Sequence, residues 1–185
     1  MDTLKKDKEE LKEIIINQGY FREKIILSSG KESDYYIDAR RVTLSPQGAY
    51  LTAKIMLEMA KDWKIDAIGG PTLGADPIVG AISVLSLQAK RPLNTFIIRK
   101  AAKSHGRQKQ IEGPDLKPGA NVVIIDDVAT TGKAFLESIT ALADIGIKAD
   151  KALCIVDRND GAQAALKEKG CSLYSIFNIS EIHKP

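Results

Sequence analysis

Two adjacent carboxylates at the end of an apolar run carry the strongest chemical signal in the chain. The run is Val122-Val123-Ile124-Ile125, and it leads into Asp126-Asp127-Val128-Ala129-Thr130-Thr131-Gly132-Lys133-Ala134. An apolar run of this kind reads as a strand buried on both faces of a parallel sheet. Ligands of such sheets sit at the carboxyl ends of the strands, where Asp126 and Asp127 fall. Residues 130–134 then bring hydroxyls and free backbone N–H groups to a helix start, a ready anion site. Carboxylates that accept from ribose hydroxyls, followed by an anion cradle, suit a sugar phosphate. Two competing motifs fail on inspection. A P-loop needs serine or threonine after Gly132-Lys133, where this chain has Ala134, and glycine where it has Asp127. The dinucleotide pattern GxGxxG is absent. A phospho-acceptor switch domain also pairs acids after a strand, but near its N-terminus. The purely structural alternative is a buried strand whose acids cap the next helix.

The second signal is Arg99-Lys100-Ala101-Ala102-Lys103-Ser104-His105-Gly106-Arg107-Gln108-Lys109-Gln110-Ile111-Glu112-Gly113. Basic and imidazole groups crowd together straight after a strand. Cations that close over a polyanionic leaving group stabilise its developing charge and exclude water. Gly106 and Gly113 allow such a loop to open and close. The alternatives are a solvated basic loop or a nucleic-acid contact. No aromatic residue interleaves with the charges, which argues against single-stranded nucleic acid.

The elements that must position these groups alternate short β-branched runs with helix-period stretches, the pattern of an α/β domain with a parallel sheet. Residues 8–18 predict a helix with Leu11, Ile14 and Ile15 on one face and Gly19 just past its end. Residues 21–38 read as extended segments around the turn Ser28-Ser29-Gly30-Lys31. Ser45-Pro46 is a helix start, serine as cap and proline at the first position. Residues 65–69 and 94–98 read as strands. Between them Asp76-Pro77 is expected to cap a helix with Ile78, Ala81, Ile82 and Leu85 on its buried face. Residues 99–119 show no apolar periodicity and read as a loop, and a loop of that length is usually functional. Residues 121–125 form the strand before the acids. A helix bearing Phe135, Ile139 and Leu142 follows, then a strand at 151–156, a helix at 161–169, and a short strand and turn over 171–182.

The chain has 185 residues, 44% of them apolar, and a formal charge of +3. That balance is too mild to argue for nucleic acid from bulk charge. Cys154 and Cys171 show no metal-ligand or framework spacing and read as small buried hydrophobes in a reducing compartment. The N-terminus is too charged for a secretory signal. The most apolar stretch, residues 67–87, is interrupted by Pro71, Asp76 and Pro77, so no membrane span is expected. A soluble cytoplasmic protein is expected. His183 reads as exposed and without a role.

The residues 122–134 resemble the signature of the type I phosphoribosyltransferases, whose apolar strand, two acids and threonine- and glycine-rich loop bind 5-phosphoribosyl 1-diphosphate (PRPP). The resemblance implies an α/β fold with a parallel sheet flanked by helices and a small N-terminal hood. It implies one domain over residues 1–185, with about 1–40 contributing to the hood and 99–119 forming a mobile catalytic loop. PRPP contacts carried over are Asp126, Asp127, Val128, Ala129, Thr130, Thr131, Gly132, Lys133 and Ala134.

Arg99-Lys100-x-x-Lys103-x-His105-Gly106 is similar to the catalytic loop of the orotate phosphoribosyltransferases. In that family the loop reaches across a homodimer, so Arg99, Lys100, Lys103 and His105 would contact the diphosphate in trans through loop 99–113. Lys103, His105 and Asp127 are the implied catalytic residues. Thr130 and Arg158 match the orotate contacts. Alone, Arg158 beside Asp157 and Asp160 also fits a surface ion pair of little worth. A planar guanidinium suits a carboxylate bound through two hydrogen bonds, as on a 6-carboxypyrimidine. Leu27-Ser28-Ser29-Gly30-Lys31-Glu32-Ser33-Asp34-Tyr35-Tyr36 looks like the hood, with Tyr36 and Ile37 as candidates to pack on the base. Some members have lysine where this chain has Ser28, and tyrosine-lysine where it has Leu73-Gly74, so those phosphate contacts are not carried over.

The implied reaction joins orotate and PRPP into orotidine 5′-monophosphate and diphosphate, a pyrimidine biosynthesis step. The implied cofactor is Mg²⁺, bound mainly through substrate and water with no direct protein ligand. The implied partners are these small molecules and a second copy of the chain. Neither nucleic acid nor membrane is expected. A phosphoribosyltransferase for another base and a PRPP-sensing regulator on the same fold are the alternatives.

Overall fold

The computed structural model describes residues 3–26, 32–100 and 110–183. In chain order its elements begin with α1 (Thr3–Ile14), a π-turn (Ile15–Gly19), and four short strands, β1 (Tyr20–Phe21), β2 (Ile25–Ile26), β3 (Glu32–Ser33) and β4 (Tyr36–Ile37). Next come α2 (Arg40–Thr43), α3 (Pro46–Met59), β5 (Ala67–Pro71), α4 (Asp76–Gln88), β6 (Asn94–Ile98) and β7 (Ile111–Glu112). The chain ends with β8 (Val122–Ala129), α5 (Lys133–Ala143), β9 (Ala149–Asp157), α6 (Ala162–Glu168), β10 (Ser172–Asn178) and α7 (Ile179–Ile182).

The main sheet has the order β10-β9-β8-β5-β6-β7. Its strands are parallel except β7, which runs antiparallel to β6. Side chains alternate between two apolar layers, as the pleat requires. Val123 and Ile125 join the core under α1, α3 and α4, while Val122 and Ile124 join the core under α5 and α6. The α/β fold with a parallel sheet flanked by helices is therefore as expected.

Most predicted elements are present with moved ends. Ser45 caps α3, its Oγ accepting from Gly48 N at 3.1 Å, with Pro46 at the first helical position. Asp76, by contrast, is not a cap. Ala75 holds that position, and Asp76 lies in the first turn of α4, where it accepts from Thr72 Oγ1 at 2.7 Å. Residues 99–119 are not wholly loop, because Ile111 and Glu112 pair back onto Ile98 and Ile97. The strand before the acids is longer than the apolar run. β8 continues through Asp126 and Asp127 to Ala129, because β9 supplies a parallel partner as far as Ala129↔Asp157. On its other side β8 loses β5 after Gly69↔Ile124. The strand order reverses between β8 and β5, and the carboxyl half of β8 borders a crevice there. That is where an open α/β sheet binds its ligands.

Candidate active site

A cavity of about 1100 Å³ opens at this crevice. Its lining includes Arg99, Lys100, all of residues 126–134 and Arg158. Every predicted site residue in the described part of the chain therefore faces one cavity. Lys103 and His105 lie outside the described residues, as does Ser28. Tyr36 and Ile37 line the cavity, as do Ile25 and Ile26. The first helix packs away from it, with Leu11, Ile14 and Ile15 in the core.

Asp126 is buried, and Asp127 is half-buried beside it. Each carboxylate accepts a backbone N–H, Asp126 Oδ1 from Asp127 N at 2.9 Å and Asp127 Oδ1 from Val128 N at 2.7 Å. These bonds do not balance desolvation. Burial raises both carboxyls above the usual carboxylate range, Asp126 strongly, and the Asp127 charge raises Asp126 further. The Arg40 guanidinium opposes the shift on Asp127. Arg40 lines the cavity, its Nε donating to Asp38 Oδ1 at 2.9 Å. Sequence reasoning missed this cation, because α2 is too short to show a period.

Gly74 stands against the acid pair. A Cβ there would lie 2.3 Å from Asp126 Oδ1 and 2.6 Å from Asp127 Oδ1. The departure from tyrosine-lysine at 73–74 thus has a local physical counterpart: with the acids in these positions, position 74 has no room for a side chain.

Below the acids, Gly132 adopts φ 82° at the entry to α5, with no side chain capping the helix. Among the described residues the first N–H groups of α5 therefore lack a side-chain cap, and residues 130–134 line the cavity, a site for an anion. Thr130 is anchored by its carbonyl, which accepts from Ala162 N at 3.1 Å. At the stem of the basic loop, Arg99 N donates to Gln110 O at 2.9 Å and Gln110 Nε2 donates to Arg99 O at 3.0 Å. Arg99 also lies 3.6 Å from Glu112, a pairing that the sequence reading lacked.

Arg158 is only 7% exposed, which removes the surface ion pair as its explanation. Its guanidinium lies over the Tyr35 ring at 4.5 Å. Nη2 donates to Ser33 Oγ at 3.2 Å, and Nε stands 3.4 Å from Asp160 Oδ2. Burial raises the Tyr35 phenol above its usual range, against the opposing effect of the Arg158 cation. His183 corrects the sequence reading. It is half-buried, its Nδ1 2.6 Å from Tyr20 Oη, and its ring stacks on Tyr35 at 4.5 Å. Nothing near residue 183 in the sequence signals this, since its partners Tyr20 and Tyr35 lie near the other end of the chain.

A mostly parallel sheet with paired acids and an uncapped helix start at its switch point defines a sugar-phosphate type of site, and the family comparison agrees. Residues 44–181 match the phosphoribosyl transferase domain, and the chain belongs to that family. Its relatives narrow the class. It is 43% identical over 156 residues to the orotate phosphoribosyltransferase of Aquifex aeolicus, covering 84% of this chain and 85% of that protein. Among solved structures, the Mycobacterium tuberculosis H37Rv orotate phosphoribosyltransferase in complex with Fe(III) dicitrate superposes with a TM-score of 0.84 at 35% identity. That match covers 96% of this chain and 99% of the other. The same enzyme in complex with PRPP gives 0.78 at 29% identity, over 96% and 92%.

Proposed function

We infer that this chain is an orotate phosphoribosyltransferase, transferring the 5-phosphoribosyl group of PRPP to N1 of orotate. The observation that carries the reading is one cavity lined by both the acid–threonine–glycine segment and the buried Arg158. The carbon–oxygen bond at C1 of the ribose breaks, and diphosphate leaves with its electron pair. N1 of orotate forms the new bond to C1 and gives up its proton to solvent or to the departing diphosphate. No protein nucleophile is required, so catalysis is positioning plus charge stabilisation.

Asp126 and Asp127 accept from the ribose hydroxyls. Residues 130–134 hold the 5-phosphate at the start of α5. Arg158 and Thr130 orient orotate, the guanidinium gripping its carboxylate. Arg99 and Lys100, which line this cavity, neutralise the departing diphosphate together with Lys103 and His105, which loop 99–113 carries into the partner of a homodimer. Mg²⁺ fits the donor set: a buried and a half-buried carboxylate that repel each other, beside a polyanion, suit a cation that keeps waters and substrate oxygens as ligands. Asp126 and Asp127 would hold it through water, and it would supply neutralisation of the diphosphate charge. The thiols of Cys154 and Cys171 are free and buried, and burial pushes Cys171 up to about 11. Unreactive free thiols suit the cytoplasm, which we propose as the location. Among the described residues, no helix is long and apolar enough to cross a membrane.

The test is loss of orotate absorbance with PRPP and Mg²⁺, against Lys103→Ala. Turnover that needs Mg²⁺ and collapses in the variant is expected. Activity with uracil, hypoxanthine or adenine but not orotate would overturn the base. Tight PRPP binding without turnover of any base would favour a regulator. Mixing Lys103→Ala with Asp127→Asn subunits tests the trans loop, since one good site per heterodimer should return. If activity stays at the level of either variant alone, the trans assignment fails.

A further inference from the structure

The cavity's arginine is held from a part of the chain that contributes nothing to the cavity itself. Tyr35 carries Arg158 on its ring at 4.5 Å and also stacks on His183 at 4.5 Å, the two rings 28° apart. His183 is in turn fixed by Tyr20 Oη at 2.6 Å and by its own N–H, which donates to Ile179 O at 2.8 Å. Ile182, buried in the core, and a capping box of Asn178 and Glu181 anchor α7 beneath it. A second link joins the same two regions. Asn178 and Asn159 exchange amide hydrogen bonds of 2.9 and 2.8 Å, and Asn159 directly follows Arg158. The segment after β9 that bears Arg158 is thus gripped twice by the β10–α7 segment.

We propose that His183 is a positioning residue for orotate, holding Arg158 in its carboxylate-binding pose through Tyr35. The proposal rests on the assignment of Arg158 to the orotate carboxylate. An arginine has many rotamers, and freezing them on binding costs affinity. The Tyr35–His183 stack removes that freedom before the substrate arrives. Ser33 completes the arrangement, since its Oγ accepts from Arg158 and donates to Tyr35 O at 2.7 Å. The guanidinium has five N–H donors, and these contacts leave enough for a carboxylate.

The experiment compares His183→Ala, His183→Phe and Arg158→Lys by steady-state kinetics in both substrates. His183→Ala should raise the orotate KM about three- to tenfold, the range expected for losing one aromatic pair. Its PRPP KM and its kcat at saturating orotate should stay within about twofold of wild type. His183→Phe keeps the ring and should recover most of the orotate KM. Arg158→Lys should raise the orotate KM further than either. If Arg158→Lys acts on orotate and His183→Ala does not, the inference fails and the assignment of Arg158 stands. If neither moves the orotate KM, the assignment of Arg158 fails and takes the inference with it. A His183→Ala variant that lowers kcat and raises both KM values together marks a merely structural role and overturns the proposal. If His183→Ala does not fold, Tyr20→Phe, which loses only the 2.6 Å bond, replaces it, with a smaller rise confined to orotate expected and an unchanged orotate KM overturning the proposal.

Discussion

The acid pair and the anion cradle come from one continuous stretch, residues 122–134, whereas Arg158, assigned to the orotate carboxylate, is held in place by Tyr20, Ser33, Tyr35 and His183 from the two ends of the chain. The first is rigid by local means. β8 is buried between two strands along its first half and stays paired to β9 to its end, and α5 starts within a few residues. The second depends on contacts between elements far apart in the chain, including one between residues 163 positions apart. A site of the first kind withstands rearrangement elsewhere and fails through its own residues. A site of the second kind is vulnerable at a distance. The comparison can be broken by substitutions on either side.

The largest effect is expected from Asp126→Asn. The variant keeps an oxygen to accept from Asp127 N but loses the charge. Activity should fall at least about 100-fold, the scale of removing one preorganised charge-stabilising group. Stability should move the other way. The folded carboxyl sits above its ordinary value of 3.8 because burial and Asp127 disfavour its ionised form. Over the interval between those two values the folded state binds more protons than the unfolded one. Stability therefore falls as pH rises above 3.8, so by neutral pH the buried Asp126 carboxyl costs stability. Asp126→Asn removes that cost, so its Tm at neutral pH should exceed that of wild type, by about 2–4 °C for each kcal/mol relieved. The gain should shrink as pH drops toward 3.8. Thermal melts across pH check this. A variant less stable than wild type at neutral pH would mean that the acids are not a strained pair.

Arg158→Ala should act on one substrate only. Removing charge-assisted hydrogen bonds to a carboxylate should raise the orotate KM about 10- to 100-fold. The PRPP KM should change little, because Arg158 is tied to the 126–134 segment through its backbone, Arg158 N donating to Ala129 O at 2.9 Å, and the substitution keeps that bond. Equal losses in both substrates would show that the two sides are mechanically coupled.

What sequence alone made legible follows the same division. The strand, acids and anion cradle at 122–134 are contiguous, so side-chain types and spacing sufficed. The length of β8 was not legible, because pairing with β9, not apolarity, carries it through Asp126 and Asp127. The two-residue β7 and four-residue α2 are too short for any period, and with α2 went Arg40. Asp76 looked like a cap because aspartate before proline usually is one, but the turn entering α4 starts a residue earlier. His183 looked idle because a lone histidine carries no pattern, and only the fold brings it to Tyr35.

Gly74→Ala probes the boundary between the acids and the loop after β5. Its Cβ would crowd Asp126 and Asp127 from 2.3 and 2.6 Å, so the carboxylates must shift. A displacement on the order of 1 Å at positioned groups costs up to about 100-fold, and a smaller shift here should lower kcat about tenfold. The orotate KM should remain near wild type, since Arg158 is anchored elsewhere. An unchanged kcat would place the working carboxylates away from the positions seen here.

Ser45→Ala supplies the smallest effect and the control for both sides. Ser45 Oγ accepts from Gly48 N at 3.1 Å and donates to Val42 O at 2.8 Å, tying α2 to α3 outside the cavity. Losing an N-cap should cost about 1 kcal/mol and lower Tm by about 2–4 °C. Neither KM should move, because the residue touches no group assigned to substrate. Yet α2 carries Arg40 and follows β4, whose Tyr36 and Ile37 line the cavity. Were the orotate KM alone to rise, the cap would be holding β4 in place, and the base side would extend further through the fold than its contacts with Arg158. Melts and two-substrate kinetics on the same preparation decide between a cap that stabilises only its helix and one that also sets β4.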